Sequence, residues 1–357
     1  MFIGIIMTMD NDLIKTDFDL SAYNFLALTS TAEYFCAPQN QEMLMQALSF
    51  SRKQGIPVHI IGSGSNIVLP EQISGLVISP GMRGITQCGD RLHVSAGVLW
   101  DDLVRESIGR FGLAGLENLS GIPGTVGAAP IQNIGAYGVE LSDYFGGLTA
   151  INLNTHELHR FDALACQFSY RNSLFKNQMK AEFIITEVEI ALPQIQPFAP
   201  HLDYAELRNA VAEESGNQSP QEIRDIVLRL RRRKLPDPEL RPNVGSFFKN
   251  PVVNLDVYDG LVNQLGPIPS HEEGAFRKLS AAWLIDQLGL KGLQVGGAQV
   301  SIQHALVIEN TGRASFEDIL ALTLKVQQAV DESFCILLEP EPVFFQHGSD
   351  QIAASSR

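Results

Sequence analysis

Cysteine is scarce: Cys36, Cys88, Cys166 and Cys335 are the 4 in 357 residues, widely scattered, with no CxxC pair and no close Cys/His spacing. That pattern argues against structural zinc and predicts a reduced, cytoplasmic protein. Charge is thin as well, at 18% of residues, and it leans acidic, with a formal net charge of −14. Nucleic acid and anionic membranes favour basic surfaces, so neither is an expected partner; a small basic pocket for an anionic metabolite remains compatible with the total. No apolar run is long enough to span a bilayer. MFIGIIMTMDND lacks a basic lead-in and soon turns acidic, so no secretory signal is expected. There is no internal repeat and no coiled-coil register. What is present is an ordinary globular composition, 45% hydrophobic over 357 residues, with room for two or three domains.

Periodicity predicts a helix over 41–55 that stops at Gly55, then strand, tight turn and strand through IPVHIIGSGSNIVLP. LHVSAGVLWDDLVRESIGRFG reads as a strand entering a helix, and YFGGLTAINLNTHELHRF and AEFIITEVEIAL as strands. Ser219, Pro220 and Glu222 make a good helix start, and the helix should run to near Leu235, where prolines end it. LSAAWLIDQLGLKG, ALVIENTG, SFEDILALTLKVQQAVDESF and CILLEPEPVFF then suggest helix, strand, helix, strand, with Ser315 and Asp318 as a reciprocal cap.

Chemistry concentrates in a few places. GSGSN, Gly62, Ser63, Gly64, Ser65 and Asn66, is either a tight hairpin or a phosphate cradle; it has neither the third glycine of a GxGxxG fingerprint nor the lysine of a P-loop. GLENLSGIPGTVGAAPIQNIGAYG, Gly115 to Gly138, packs 6 glycines and 2 prolines among almost no charge. It is either a buried structural loop or a surface for close approach of a flat, phosphate-bearing cofactor. RRRK, Arg231 to Lys234, either balances the end of a helix or binds an anion. Ser246 in NVGSFFKNP fits no nucleophile elbow but can deliver a proton to a carbanion-like partner. Arg171 in FSYRNSLFK is either a salt-bridge residue or a stabiliser of negative charge. Glu339 and Glu341 in LLEPEPVFF share a side if that segment is extended.

GSGSNIV, GLENLSGIPGTVGAAPIQNIGAYGVEL, FSYRNSLFK, RRRKLPDP, NVGSFFKNP and LLEPEP occur in the order found in the UDP-N-acetylenolpyruvoylglucosamine reductases, bacterial flavoenzymes of peptidoglycan precursor synthesis, which the chain resembles over nearly its whole length. The resemblance implies an α+β fold: a two-subdomain FAD-binding region of the vanillyl-alcohol oxidase type, over 1–80 and 81–215, then a C-terminal α/β substrate-binding domain over 216–345 and a tail, 346–357. It implies non-covalent FAD, NADPH as reductant, and UDP-N-acetylglucosamine enolpyruvate as acceptor, with hydride to C3 and a proton to C2, giving UDP-N-acetylmuramate. No metal and no obligate protein partner are expected.

Carried over by motif, the catalytic residues are Arg171, Ser246 as proton donor, and Glu341, which the family pattern selects over Glu339; Lys249 is a candidate for tuning the site. FAD contacts fall to Gly62, Ser63, Gly64, Ser65 and Asn66, and to Asn118, Ser120, Gly121, Ile122, Pro123, Gly124, Gly127, Ala128, Gln132, Asn133, Gly135, Ala136, Tyr137 and Gly138. Substrate contacts fall to Tyr204, on a segment from Ala199 to Leu207 that covers the substrate, to Lys234 at the diphosphate, and to Asn250. YNFLAL, Tyr23 to Leu28, stands where the family has a more polar motif, which leaves its part in the flavin site open. The rival readings are a reductase for another nucleotide sugar and a cofactor-bound regulatory protein.

Overall fold

The computed structural model describes residues 13–195, 197–214 and 218–345; the opening MFIGIIMTMDND and the tail at 346–357 lie outside them. Two compact units emerge, and they do not follow the chain in single blocks. The first comprises Met1–Asp19, Thr31–Ser63 and Ile73–Leu228; the second comprises Leu20–Ser30, Gly64–Gln72 and Arg229–Arg357.

In the first unit, the five strands Leu158–Phe161, Phe145–Asn152, Phe183–Ala191, Arg91–Ser95 and Ile85–Cys88 form a sheet in that spatial order. All its pairings are antiparallel; two join strands consecutive in the chain, whereas Phe183–Ala191 returns to pair with Arg91–Ser95 over a long connection. Its apolar face includes Leu92, Val94, Leu148, Ala150, Val188 and Ile190, and it shares a core with Trp100, Leu103 and Val104 of the helix Trp100–Gly109. Alternation along Phe145–Asn152 and Phe183–Ala191 is what puts those residues on one side. A four-stranded sheet carries Lys15–Asp19, Thr31–Cys36, Gln72–Ile78 and Val58–Ile60. The helix Gln41–Gln54 supplies Leu44, Ala47 and Leu48 to the core around that sheet, is capped by Asn40, and ends at Gly55 in a left-handed turn.

The second unit has a four-stranded antiparallel sheet ordered Asn243–Ser246, Val307–Asn310, Ala298–Val300 and Gln294–Val295. The long helix Phe316–Phe334 supplies Ile319, Leu322, Val326 and Val330 at intervals of three and four to the core. Ser315 and Asp318 cap it reciprocally. Leu26 and Leu28 of YNFLAL are buried in the same core, beside Phe247 and Leu338.

The structure corrects the hairpin alternative for GSGSN. Val58–Ile60 pairs in parallel with Gln72–Ile78, whereas Ile67–Val68 pairs in parallel with Val343–Phe344. The loop therefore leaves one sheet and enters another, and the five residues are a crossing point, Ser63 closing a stretch of the first unit and Gly64 opening one of the second. CILLEPEPVFF also differs from expectation: its only strand is Val343–Phe344, because prolines 340 and 342 remove ladder donors.

Candidate active site

Within the first unit the two glycine-rich stretches meet. A Cβ built on Gly62 would lie 3.0 Å from Thr125 Oγ1 and 3.2 Å from the Ala128 methyl, so the start of GSGSN touches the middle of GLENLSGIPGTVGAAPIQNIGAYG. Two polar atoms in this region are shielded from solvent and have no hydrogen-bond partner among the described residues: Ser63 Oγ and Asn118 Oδ1. Asn118 is itself 0% exposed. Its Nδ2 donates to Tyr137 O and His201 O, both at 2.9 Å, so both amide hydrogens are used and Oδ1 can only accept. A hydroxyl able to donate and an amide oxygen able to accept suit a ligand with both phosphate oxygens and N–H or O–H groups. FAD is such a ligand, and the residues present fit it.

The loop is held by charged side chains, some of them buried. Asp101 accepts from Arg224 through both oxygens, at 2.6 and 2.7 Å, and from the Gly121 amide at 2.6 Å. Burial would raise the Asp101 carboxyl, but the Arg224 guanidinium and the Gly121 amide outweigh it and hold the group below its ordinary value. Glu117 behaves oppositely. It is 3% exposed, and desolvation raises its carboxyl despite the 2.7 Å bond from the Gly115 amide. Asn133 turns its side chain inward, donating to Glu140 Oε2 at 2.8 Å and accepting from the Ser142 amide at 3.0 Å.

Arg171, in FSYRNSLFK, reaches the same stretch with its side chain. Ser169 and Asn172 exchange backbone bonds of 3.0 and 3.1 Å across a tight turn, and Arg171 occupies its tip at φ 53°. The guanidinium donates to Gly135 O at 2.5 Å. A Cβ on Gly135 would lie 2.9 Å from Arg171 Nη1, so the missing side chain is what lets the guanidinium approach the backbone. Tyr204 precedes the helix Ala205–Ala212 and meets Tyr137 edge-on, with ring centroids 5.4 Å apart.

Within the second unit, Ser246 ends the strand Asn243–Ser246, whose pairing with Val307–Asn310 is interrupted by a register shift. Such a bulge re-aims the side chains beside it, and Ser246 is exposed whereas Phe247 and Phe248 are buried. Phe247 O accepts the Glu341 amide at 2.8 Å, which brings the segments carrying Ser246 and Glu341 side by side. Asn66 joins them: its Nδ2 donates to Glu341 O at 3.3 Å, and its carbonyl accepts from Val343 N at 3.0 Å. Lys249 pairs instead with Glu339, Nζ to Oε1 at 2.5 Å. Thus Glu339 places its carboxylate on Lys249, whereas Glu341 is tied through its backbone to Phe247 and Asn66. Lys234 ends the helix Pro220–Lys234, half-buried, and Asn250 Oδ1 accepts from the Ala281 amide at 3.0 Å. YNFLAL packs its backbone onto GSGSN, with Phe25 N donating to Gly64 O at 3.2 Å.

Several of these residues carry no signal readable from sequence. Asp101 and Arg224 lie 123 positions apart, and WDDL reads locally as an ordinary acidic first turn. His201 is likewise inconspicuous. Glu117 carried a usable signal, as the one charged residue in the glycine-rich stretch.

Among the described residues there is no group of three or more side chains suited to a metal ion, and no helix is long and apolar enough to cross a membrane. Comparison with known proteins gives two domain matches: residues 32–162 match the family described as FAD binding domain, and residues 237–345 that described as UDP-N-acetylenolpyruvoylglucosamine reductase, C-terminal domain. Curated relatives carrying the UDP-N-acetylenolpyruvoylglucosamine reductase name include one from Paraburkholderia xenovorans, 41% identical over 91% of this chain and 96% of its own. Another, from Bdellovibrio bacteriovorus, is 40% identical over 92% of this chain and 99% of its own. Among solved structures, the enzyme of that name from Thermus caldophilus aligns with a TM-score of 0.65 at 27% identity, covering 93% of this chain and 98% of that one.

Proposed function

The chain belongs to the UDP-N-acetylenolpyruvoylglucosamine reductase family, and from that premise we propose that it reduces UDP-N-acetylglucosamine enolpyruvate to UDP-N-acetylmuramate with NADPH, in the cytoplasm, using non-covalently bound FAD. The observation that supports this reading most is the adjacency of the Ser246 and Glu341 segments, joined through Phe247 O. When bound, FAD supplies the hydride that passes from NADPH to C3 of the enolpyruvyl group.

The protein's own residues bind, orient and deliver the proton. Arg171 holds the enolpyruvyl carboxylate and stabilises negative charge as it grows. Its guanidinium is pre-aimed by the Gly135 carbonyl, so little reorganisation is needed on binding. Ser246 Oγ gives its proton to C2. A hydroxyl is a weak acid, but an enolate-like carbon is a strong enough base to take that proton. Glu341, on the segment joined to Ser246 through Phe247 O, serves carboxyl-group stabilisation or proton control. Lys234 takes the diphosphate as a point charge, Asn250 contacts the substrate, and Tyr204 covers it. FAD would be held by Ser63 Oγ and backbone amides of the glycine-rich stretches, which could donate to its phosphate oxygens, and by Asn118 Oδ1, which could accept from an N–H or O–H. The domain reading keeps 1–80 and 81–215 as the FAD-binding region and 216–345 as the substrate domain.

An anaerobic assay tests the whole reading. The purified protein should be yellow, NADPH alone should bleach the flavin, and UDP-N-acetylglucosamine enolpyruvate should restore its colour. Restoration by oxygen but not by that substrate would leave a general NADPH oxidase and refute the assignment.

A further inference from the structure

We infer that Asn118 is a positioning residue for substrate binding, acting through Tyr204, an inference that rests on the proposed substrate contact of Tyr204. Three separate contacts tie the segment carrying Tyr204 to the turn Gly135–Gly138. The Asn118 amide donates to Tyr137 O and His201 O, at 2.9 Å each. The Tyr137 and Tyr204 rings meet at 5.4 Å between centroids and 87° between planes. A Cβ on Gly138 would meet His201 Cε1 at 3.4 Å and Tyr204 N at 3.7 Å, so the backbone of the turn lies directly beneath the segment.

Of these contacts, only the first comes from outside both partners. Asn118 belongs to the short helical turn Glu117–Leu119, and it is 0% exposed. Its orientation is fixed chemically: turning the amide over would set its oxygen against two carbonyl oxygens. The single Nδ2 group therefore clamps Tyr137, held at φ 49°, to the residue three positions before Tyr204. Asn118 is fully buried and the two bonds are partly so, which makes them costly to lose. Asn118 does not need to touch the substrate to matter to its binding; it sets where Tyr204 stands.

A double-mutant cycle on the FAD-loaded protein tests this, with Kd for the substrate's enolpyruvate-free analogue, UDP-N-acetylglucosamine, read from the perturbation of flavin absorbance. The expected result is that Tyr204→Ala and Asn118→Ala each raise Kd about 5-fold or more, and that Asn118→Ala has no further effect once Tyr204 is alanine. If Tyr204→Ala raises Kd while Asn118→Ala leaves it unchanged or adds its full effect in the double variant, the inference fails and the substrate role of Tyr204 stands. If Tyr204→Ala itself leaves Kd unchanged, that role fails and takes the inference with it. Should Asn118→Ala not retain flavin, Tyr137→Leu takes its place in the cycle. It removes the ring contact from the same side and should again be silent in the Tyr204→Ala background; additivity there overturns the inference equally.

Discussion

Gly64 shows how much one position can carry. Its φ is +82°, and a Cβ there would fall 1.8 Å from Tyr23 O, inside any tolerable contact. The neighbour is backbone, so it cannot rotate away. Gly64→Ala should therefore destabilise the protein by at least about 2 kcal/mol, from the left-handed backbone and the forced shift together, and should weaken flavin retention at the same time. Chemical denaturation and the ratio of flavin to protein absorbance check this; a Gly64→Ala protein of native stability would show that YNFLAL does not close on GSGSN as described. The sequence marked this loop as special, but read alone its five residues favoured a tight hairpin over a cradle. The deciding fact, that the strands on either side join different sheets, is a long-range pairing and leaves no trace in five residues. YNFLAL was opaque for the same reason: Leu26 and Leu28 look out of place beside the family's polar motif, and only their burial with Phe247 explains them.

Helices were the most legible elements, because caps and periodicity are local. Ser219 and Glu222 cap as expected: the Ser219 amide donates to Glu222 Oε2 at 2.7 Å, and the helix stops at Lys234 before the prolines. What the pattern could not give was the role of Arg224 inside that helix. Arg224 is 6% exposed and bidentate on Asp101, which also holds Gly121. The pair thus joins the helices Pro220–Lys234 and Trp100–Gly109 to the glycine-rich stretch at Gly121. Replacing Asp101 by Asn leaves a buried guanidinium without its counter-charge, at a cost of about 1–3 kcal/mol given the partial exposure of the carboxylate. The pH dependence has a definite sign. Asp101 is held below its ordinary value, so its contribution is full above the unfolded value, is lost as pH falls through the folded one, and leaves stability at neutral pH highest in the parent protein. Thermal unfolding from pH 7 down to pH 3 should accordingly show a smaller acid-induced fall in Asp101→Asn than in the parent; parallel curves would contradict the assignment.

At the scale of the whole molecule, the α+β class and the order of the motifs were readable, whereas the composition of the two compact units was not. The second unit draws on 20–30 and 64–72 as well as on everything from 229, and sequence windows cannot reveal that such distant stretches share a core. Interleaving also explains why the GSGSN loop contributes to both: Gly62 and Ser63 stand with the glycine-rich stretch, while Asn66 stands with Glu341. The net charge of −14 is no obstacle to binding a nucleotide sugar, because the cations assigned to it, Arg171 and Lys234, act locally. In the proposed reaction Ser246 supplies the proton that completes reduction. Ser246→Ala, reduced anaerobically with NADPH and mixed with UDP-N-acetylglucosamine enolpyruvate in a stopped-flow instrument, tests it directly. Bleaching by NADPH should proceed much as in the parent, and substrate-dependent return of flavin absorbance should slow by about 10²–10⁴-fold, the range for losing a positioned general acid. Reoxidation at the parental rate would contradict the claim.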